Sequence, residues 1–125
     1  MEQMKKFSHA RWVWATLWLA YAVLIFYFSS RPFPDEESIL QRIPFGDKGA
    51  HAGEYLIFGW LTFLTFRPRD GASWFFVLLV ALGYAASDEF HQIFVPTRDA
   101  SIYDWSADAV GVLISAVVYV LIRRA

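Results

Sequence analysis

Apolar residues in this chain run in long blocks, not in the short alternations of surface strands. Four blocks stand out, at 12–30, 48–66, 73–95 and 104–122. Each is about 17–24 residues long, the length an α-helix needs to cross a bilayer. The first has no charged residue between Trp12 and Phe28. Two prolines and the acidic run Asp35-Glu36-Glu37 follow it and mark a loop, with a short interfacial turn expected from Ser38 to Arg42 before Pro44. Asp47 stands where the second block needs an N-cap. Arg67-Pro68-Arg69-Asp70-Gly71 predicts a tight turn, after which Ser73 would cap the third block. Pro96 closes that block, and Asp104 is the expected cap of the fourth, which ends before Arg123-Arg124.

The pattern predicts an all-α integral membrane protein, a four transmembrane helix bundle forming one domain. Composition points the same way. The chain has 125 residues, 57% hydrophobic and 19% aromatic with 18% charged, and a soluble domain of that size would have to expose much apolar surface. A net charge of −1 gives no basis for a nucleic-acid partner, so the lipid bilayer is the partner expected. The absence of cysteine excludes disulfides, thiolate metal sites and a cysteine nucleophile. Lys5, Lys6 and Arg11 before an apolar run resemble a signal peptide. The bulky 12–28 stretch and the lack of a small-x-small pattern at Ser29-Ser30-Arg31-Pro32 instead predict an uncleaved first helix.

Basic residues orient the bundle. With four crossings, Lys5, Lys6, Arg11, Arg67, Arg69, Arg123 and Arg124 share one side, against Arg31, Arg42, Lys48 and Arg98 on the other. Seven against four predicts both termini in the cytoplasm. The polar start of the second block, the end of the third and the start of the fourth then meet at the extracytoplasmic end.

Those ends carry the candidate chemistry. Asp47, His51 and Tyr55 recur at i, i+4, i+8 and stack on one helical face, with Glu54 beside it. Tyr84, Asp88, His91 and Gln92 share a face of the third block, and Glu89 points about 100° away from Asp88. Asp104, Asp108, Gly111 and Ser115 form a third stripe. Converging stripes predict a polar pocket, and Gly53, Gly59, Gly83 and Gly111 would let helices approach closely. Imidazoles with carboxylates suit a divalent metal such as zinc, manganese or magnesium, with Asp47, His51, Asp88, His91, Asp104 and Asp108 as the ligand set. Such an ion would polarise a phosphoryl or carbonyl oxygen or acidify a bound water. Without a metal, His51 or His91 oriented by an aspartate would serve as a general acid–base group. His51, Asp88, His91 and Asp108 are the expected catalytic residues, because ionisable groups at membrane depth are costly. Lys48, Tyr55, Gln92 and Arg98 are expected to bind substrate, the two cations by holding an anionic head group.

Structural readings stand beside these. Asp47 and Asp104 would serve as caps alone, and Glu54 and Glu89 would face the interface or pair with Lys48 or Arg98. Trp12, Trp14, Trp60, Trp74 and Trp105 read as interfacial anchors.

Gly46-Asp47-Lys48-Gly49-Ala50-His51 with Glu54-Tyr55, the run Asp88-Glu89-Phe90-His91-Gln92-Ile93-Phe94-Val95-Pro96-Thr97-Arg98, and Asp104-Trp105-Ser106-Ala107-Asp108-Ala109-Val110-Gly111 together resemble the VanZ family over about residues 20–120. Thr97 departs from a frequent glycine, which would alter only the turn after Pro96. The resemblance implies a small multi-pass protein of the bacterial cytoplasmic membrane and a setting of teicoplanin-type lipoglycopeptide resistance; it implies no reaction. Two functions follow from the residues. One is metal-assisted hydrolysis or transfer on a lipid or cell-envelope precursor at the outer leaflet. The other is a non-catalytic module that binds an amphiphile, a lipoglycopeptide or an anionic lipid head group. No feature of the sequence fixes an oligomeric state.

Overall fold

The computed structural model of the chain describes residues 2–31, 45–96 and 100–124. They form four helices: α1 (Glu2–Ser29), α2 (Gly46–Phe66), α3 (Gly71–Gln92) and α4 (Ile102–Arg124). The acidic run 35–37, the turn expected at 38–42, Pro44, Thr97 and Arg98 lie outside the described residues.

α2 is the hub. It packs most extensively on α4, then on α1, and touches α3, while among the described residues α1 and α4 are not neighbours. That position explains its composition. α1 over His9–Ser29, α3 and α4 are long and apolar enough to cross a bilayer, whereas α2 is not among them. A helix surrounded by three others needs no wholly apolar surface, so it can carry Asp47, Lys48, His51 and Glu54. The outer faces of the other helices expose Trp12, Leu19, Val23, Phe75, Leu79, Phe90, Leu113 and Leu121. A continuous apolar exterior of this kind suits lipid, not water.

The core lies along α2. Ile25, Tyr55, Phe58, Ala81, Ala85 and Val112 form one buried cluster; Phe63, Val77 and Tyr119 form a second towards the opposite end. Two of the four glycines expected at close contacts are there. A Cβ on Gly111 would strike the carbonyl oxygen of Ala52 and lie 2.8 Å from the Leu56 nitrogen, and one on Gly59 would meet Ser115. Gly53 and Gly83 face open space, so the expectation of close approach fails for them.

The helix ends correct three expected caps. Asp70, not Ser73, is the N-cap of α3: its carboxylate accepts the Ser73 backbone N–H at 2.7 Å in a capping box. That N–H holds the Asp70 carboxyl below its usual range. α4 begins two residues before Asp104, and the Ser101 hydroxyl accepts the Asp104 N–H at 3.1 Å. The Asp104 side chain is thereby released from capping. α2 begins at Gly46 behind Phe45, whose φ of 65° turns the chain without a side-chain cap, so Asp47 is not one either. α3 ends at Gln92, and i→i−3 bonds continue the coil through Val95 before Pro96. Trp60 and Trp74 pack around Tyr119, and the Trp105 indole donates to the Leu82 carbonyl at 3.2 Å. These three half-buried tryptophans make helix-to-helix contacts.

Candidate functional site

The antiparallel course of neighbouring helices brings the end of α1, the start of α2, the end of α3 and the start of α4 together. Every expected site residue among the described ones lies at this end, but they divide into three groups.

The outer group is an ion pair network. The Lys48 ammonium bonds the Asp104 carboxylate and lies 3.3 Å from Asp47 Oδ2. Asp47, His51 and Asp104 offer ligand atoms close enough to share a cation, yet the lysine already supplies one there. The Asp104 side chain is 7% exposed and that of Lys48 47%. Removing the lysine would strand a buried carboxylate. Lys48→Met is therefore expected to cost about 1–2 kcal/mol, below the 3–5 for a fully buried pair because the ammonium is half in solvent. Thermal unfolding in detergent measures it, and a midpoint equal to wild type would refute it.

The inner group is buried and under-satisfied. His51 Nδ1 and Asp108 Oδ1 are 2.8 Å apart, so the imidazole N–H donates to the carboxylate, and Glu89 Oε1 lies 3.6 Å from the same nitrogen. Asp108 is wholly buried, Glu89 7% exposed and His51 8%. Neither Glu89 oxygen nor Asp108 Oδ2 makes a full hydrogen bond among the described residues, although the Ser101 backbone N–H lies close enough to favour the Glu89 carboxylate weakly. Each such orphan costs about 1–3 kcal/mol, more when charged. Ligands held at about 2.0–2.2 Å from one ion lie about 3 Å from each other. The spacings of His51, Glu89 and Asp108 thus fit a shared cation, with one ligand atom from each residue.

The third group faces α1 and the core. Tyr55 donates to Asp88 Oδ2 at 3.0 Å, and Asp88 Oδ1 has no partner among the described residues. The His91 ring stacks on Phe26 with its Nε2 2.8 Å from the Ser30 hydroxyl, and Gln92 donates to Ser29 at 3.0 Å. The structure therefore groups His51 and Asp108 but sets Asp88 and His91 against other partners. Glu89 takes their place, a residue for which the sequence favours a structural role. A signal for it exists: Val77, Ala81, Ala85 and Glu89 recur every four residues on the buried face of α3, and the small members admit its neighbours.

Beside Glu89 an open groove of about 430 Å³ runs between the end of α3 and the start of α4. Its walls include Ala86, Phe90, Ile93, Ile102 and Trp105, and Glu89 is its charged element.

No curated protein and no solved structure matches the chain. A family model described as VanZ/LLP1 matches residues 7–123, nearly the whole chain and all three polar groups. The chain belongs to the VanZ/LLP1 family.

Proposed function

We propose that the chain is a multi-pass protein of the bacterial cytoplasmic membrane that holds a divalent cation at its extracytoplasmic end and uses it to hydrolyse or transfer a group on a lipid or cell-envelope precursor. The single observation that carries this reading is the buried triad of His51, Glu89 and Asp108, with three carboxylate oxygens lacking a full hydrogen bond among the described residues. A four-span arrangement with cytoplasmic termini rests on the basic residues, seven of which then face the cytoplasm. The family adds a setting of envelope homeostasis or glycopeptide resistance.

Each residue has a task. His51 and the two carboxylates hold the ion; Asp108 orients the imidazole through the Nδ1–H only while the ion is absent. The ion supplies Lewis-acid polarisation of a phosphoryl or carbonyl oxygen and acidifies a bound water. Lys48 offsets one of the two carboxylate charges of Asp104 and Asp47 at the rim, which leaves the inner site the more negative of the two. Asp88 and Tyr55 form an adjacent hydrogen-bonded pair that supports α2 against α3. Among the residues described, His91 and Gln92 tie α3 to α1.

The test is metal content and lipid turnover of purified protein. Wild type is expected to retain manganese or zinc. His51→Ala and Asp108→Asn are each expected to lower affinity by at least about 10–100-fold, the range for losing a supporting partner alone. His91→Ala stays close to wild type in metal affinity. Absence of metal and of turnover, with Asp108→Asn retaining its activity in cells, would overturn the reading. Saturable binding of an amphiphile without product would favour the binding module instead.

A further inference from the structure

We infer that the groove between α3 and α4 seats the hydrocarbon chain of a lipid phosphate, which enters sideways from the bilayer and presents its phosphate to the ion at His51, Glu89 and Asp108. This rests on the cation reading above and names the substrate class of that site. The observation behind it is one side chain with two surroundings. Glu89 belongs to the buried triad, and it also lines the groove. A ligand lying along Ala86, Phe90, Ile93, Ile102 and Trp105 therefore ends beside the ion without further movement of the chain.

The walls select the tail. Phe90, Ile93 and Ile102 are 64%, 61% and 66% exposed, on or directly after two helices apolar enough to span a membrane. The groove thus opens towards hydrocarbon, and about 430 Å³ lies within the range of roughly 300–1,000 Å³ for small-molecule sites. The triad selects the head. Hard divalent ions bound by one or two carboxylates commonly complete their shell with substrate phosphate oxygens. Among the described residues, the nearby ammonium of Lys48 is committed to Asp104 and Asp47, which leaves the ion to face the phosphate.

The experiment uses full-length protein in nanodiscs with manganese and a phosphatidic acid carrying a photoreactive group in its acyl chain. Crosslinks are expected at residues 86–93 and 102–105, above those on the lipid-facing side of α1. Ala86→Trp, which fills an exposed position in the groove, is expected to cut these crosslinks at least tenfold while manganese affinity, read by electron paramagnetic resonance, stays at the wild-type value. Ile102→Glu, a charge at the groove mouth on the first turn of α4, repeats the loss through a residue that a helix start tolerates. Crosslinks spread evenly over α1 and the groove, or unaffected by both variants, overturn the inference. Equal competition by glycerol 3-phosphate also overturns it, since a free phosphate would then suffice. Variant-sensitive crosslinks in a protein that binds no manganese would uphold the lipid seat and remove the cation reading, so the two fail separately.

Discussion

Gly111→Ala is expected to abolish the folded bundle or to leave a small, heat-labile fraction of it. A single methyl group there meets backbone, not side chain: the carbonyl oxygen and carbon of Ala52 and the nitrogen of Leu56. None of these can rotate aside, so α2 and α4 must separate along the most extensive contact in the molecule. We expect a cost of about 3 kcal/mol or more, at the upper end of what overpacked cores show. Gly59→Ala supplies the comparison. Its nearest obstacle is the Ser115 hydroxyl, although the Val112 Cα at 3.2 Å also crowds it. Gly59→Ala should be milder, and adding Ser115→Ala should restore much of the loss. Gly111→Ala has no equivalent rescue. Monodisperse yield in detergent and the thermal midpoint read the difference. A Gly111→Ala protein that unfolds with wild type would show that the helices are not this close.

The same comparison marks how far the sequence reaches. Hydrophobic blocks located all four helices, because block length and prolines are local properties of the chain. They did not show that α2 is the enclosed helix, although its charges and lower hydropathy follow from that. Glycine spacing alone could not tell Gly59 and Gly111 from Gly53 and Gly83, since closeness depends on which face meets a neighbour. The site behaves alike. Asp47 and His51, or Asp104 and Asp108, lie one turn apart within a helix, so their common face is legible. On α3 the rotation of the whole helix decides. Adjacent residues differ by about 100°, and α3 lies against α1, α2 and α4 at once. Asp88 consequently meets Tyr55, Glu89 meets His51, and His91 turns to Ser30. Caps followed a subtler competition. The helix starts earlier than the sequence candidate: Ser101 accepts the N–H of Asp104 itself, and the Asp104 carboxylate is left free for Lys48.

Glu89→Gln is expected to stabilise the metal-free protein and to weaken the metal-loaded one. In the absence of an ion, the wild-type carboxylate is buried, and among the described residues only the Ser101 backbone N–H offers it compensation, short of full hydrogen-bond geometry. Its contact with His51 is 3.6 Å, too long for a hydrogen bond, and the imidazole already bonds Asp108. Glutamine keeps the volume and removes the charge, so the desolvation cost falls, by about 1–2 kcal/mol given that an unpartnered polar group still costs roughly 1–3. With manganese present the order reverses. A ligand at 100 times its Kd stabilises the folded state by about 2.7 kcal/mol, and only the wild type retains the full donor set. Unfolding midpoints taken in chelator and in excess manganese should therefore cross, with Glu89→Gln above wild type in the first and below it in the second. If Glu89 were instead a structural partner of His51, glutamine would lower the midpoint in both conditions and the curves would stay parallel. The crossing is specific to a carboxylate kept at a cost to the empty fold because the ion needs it.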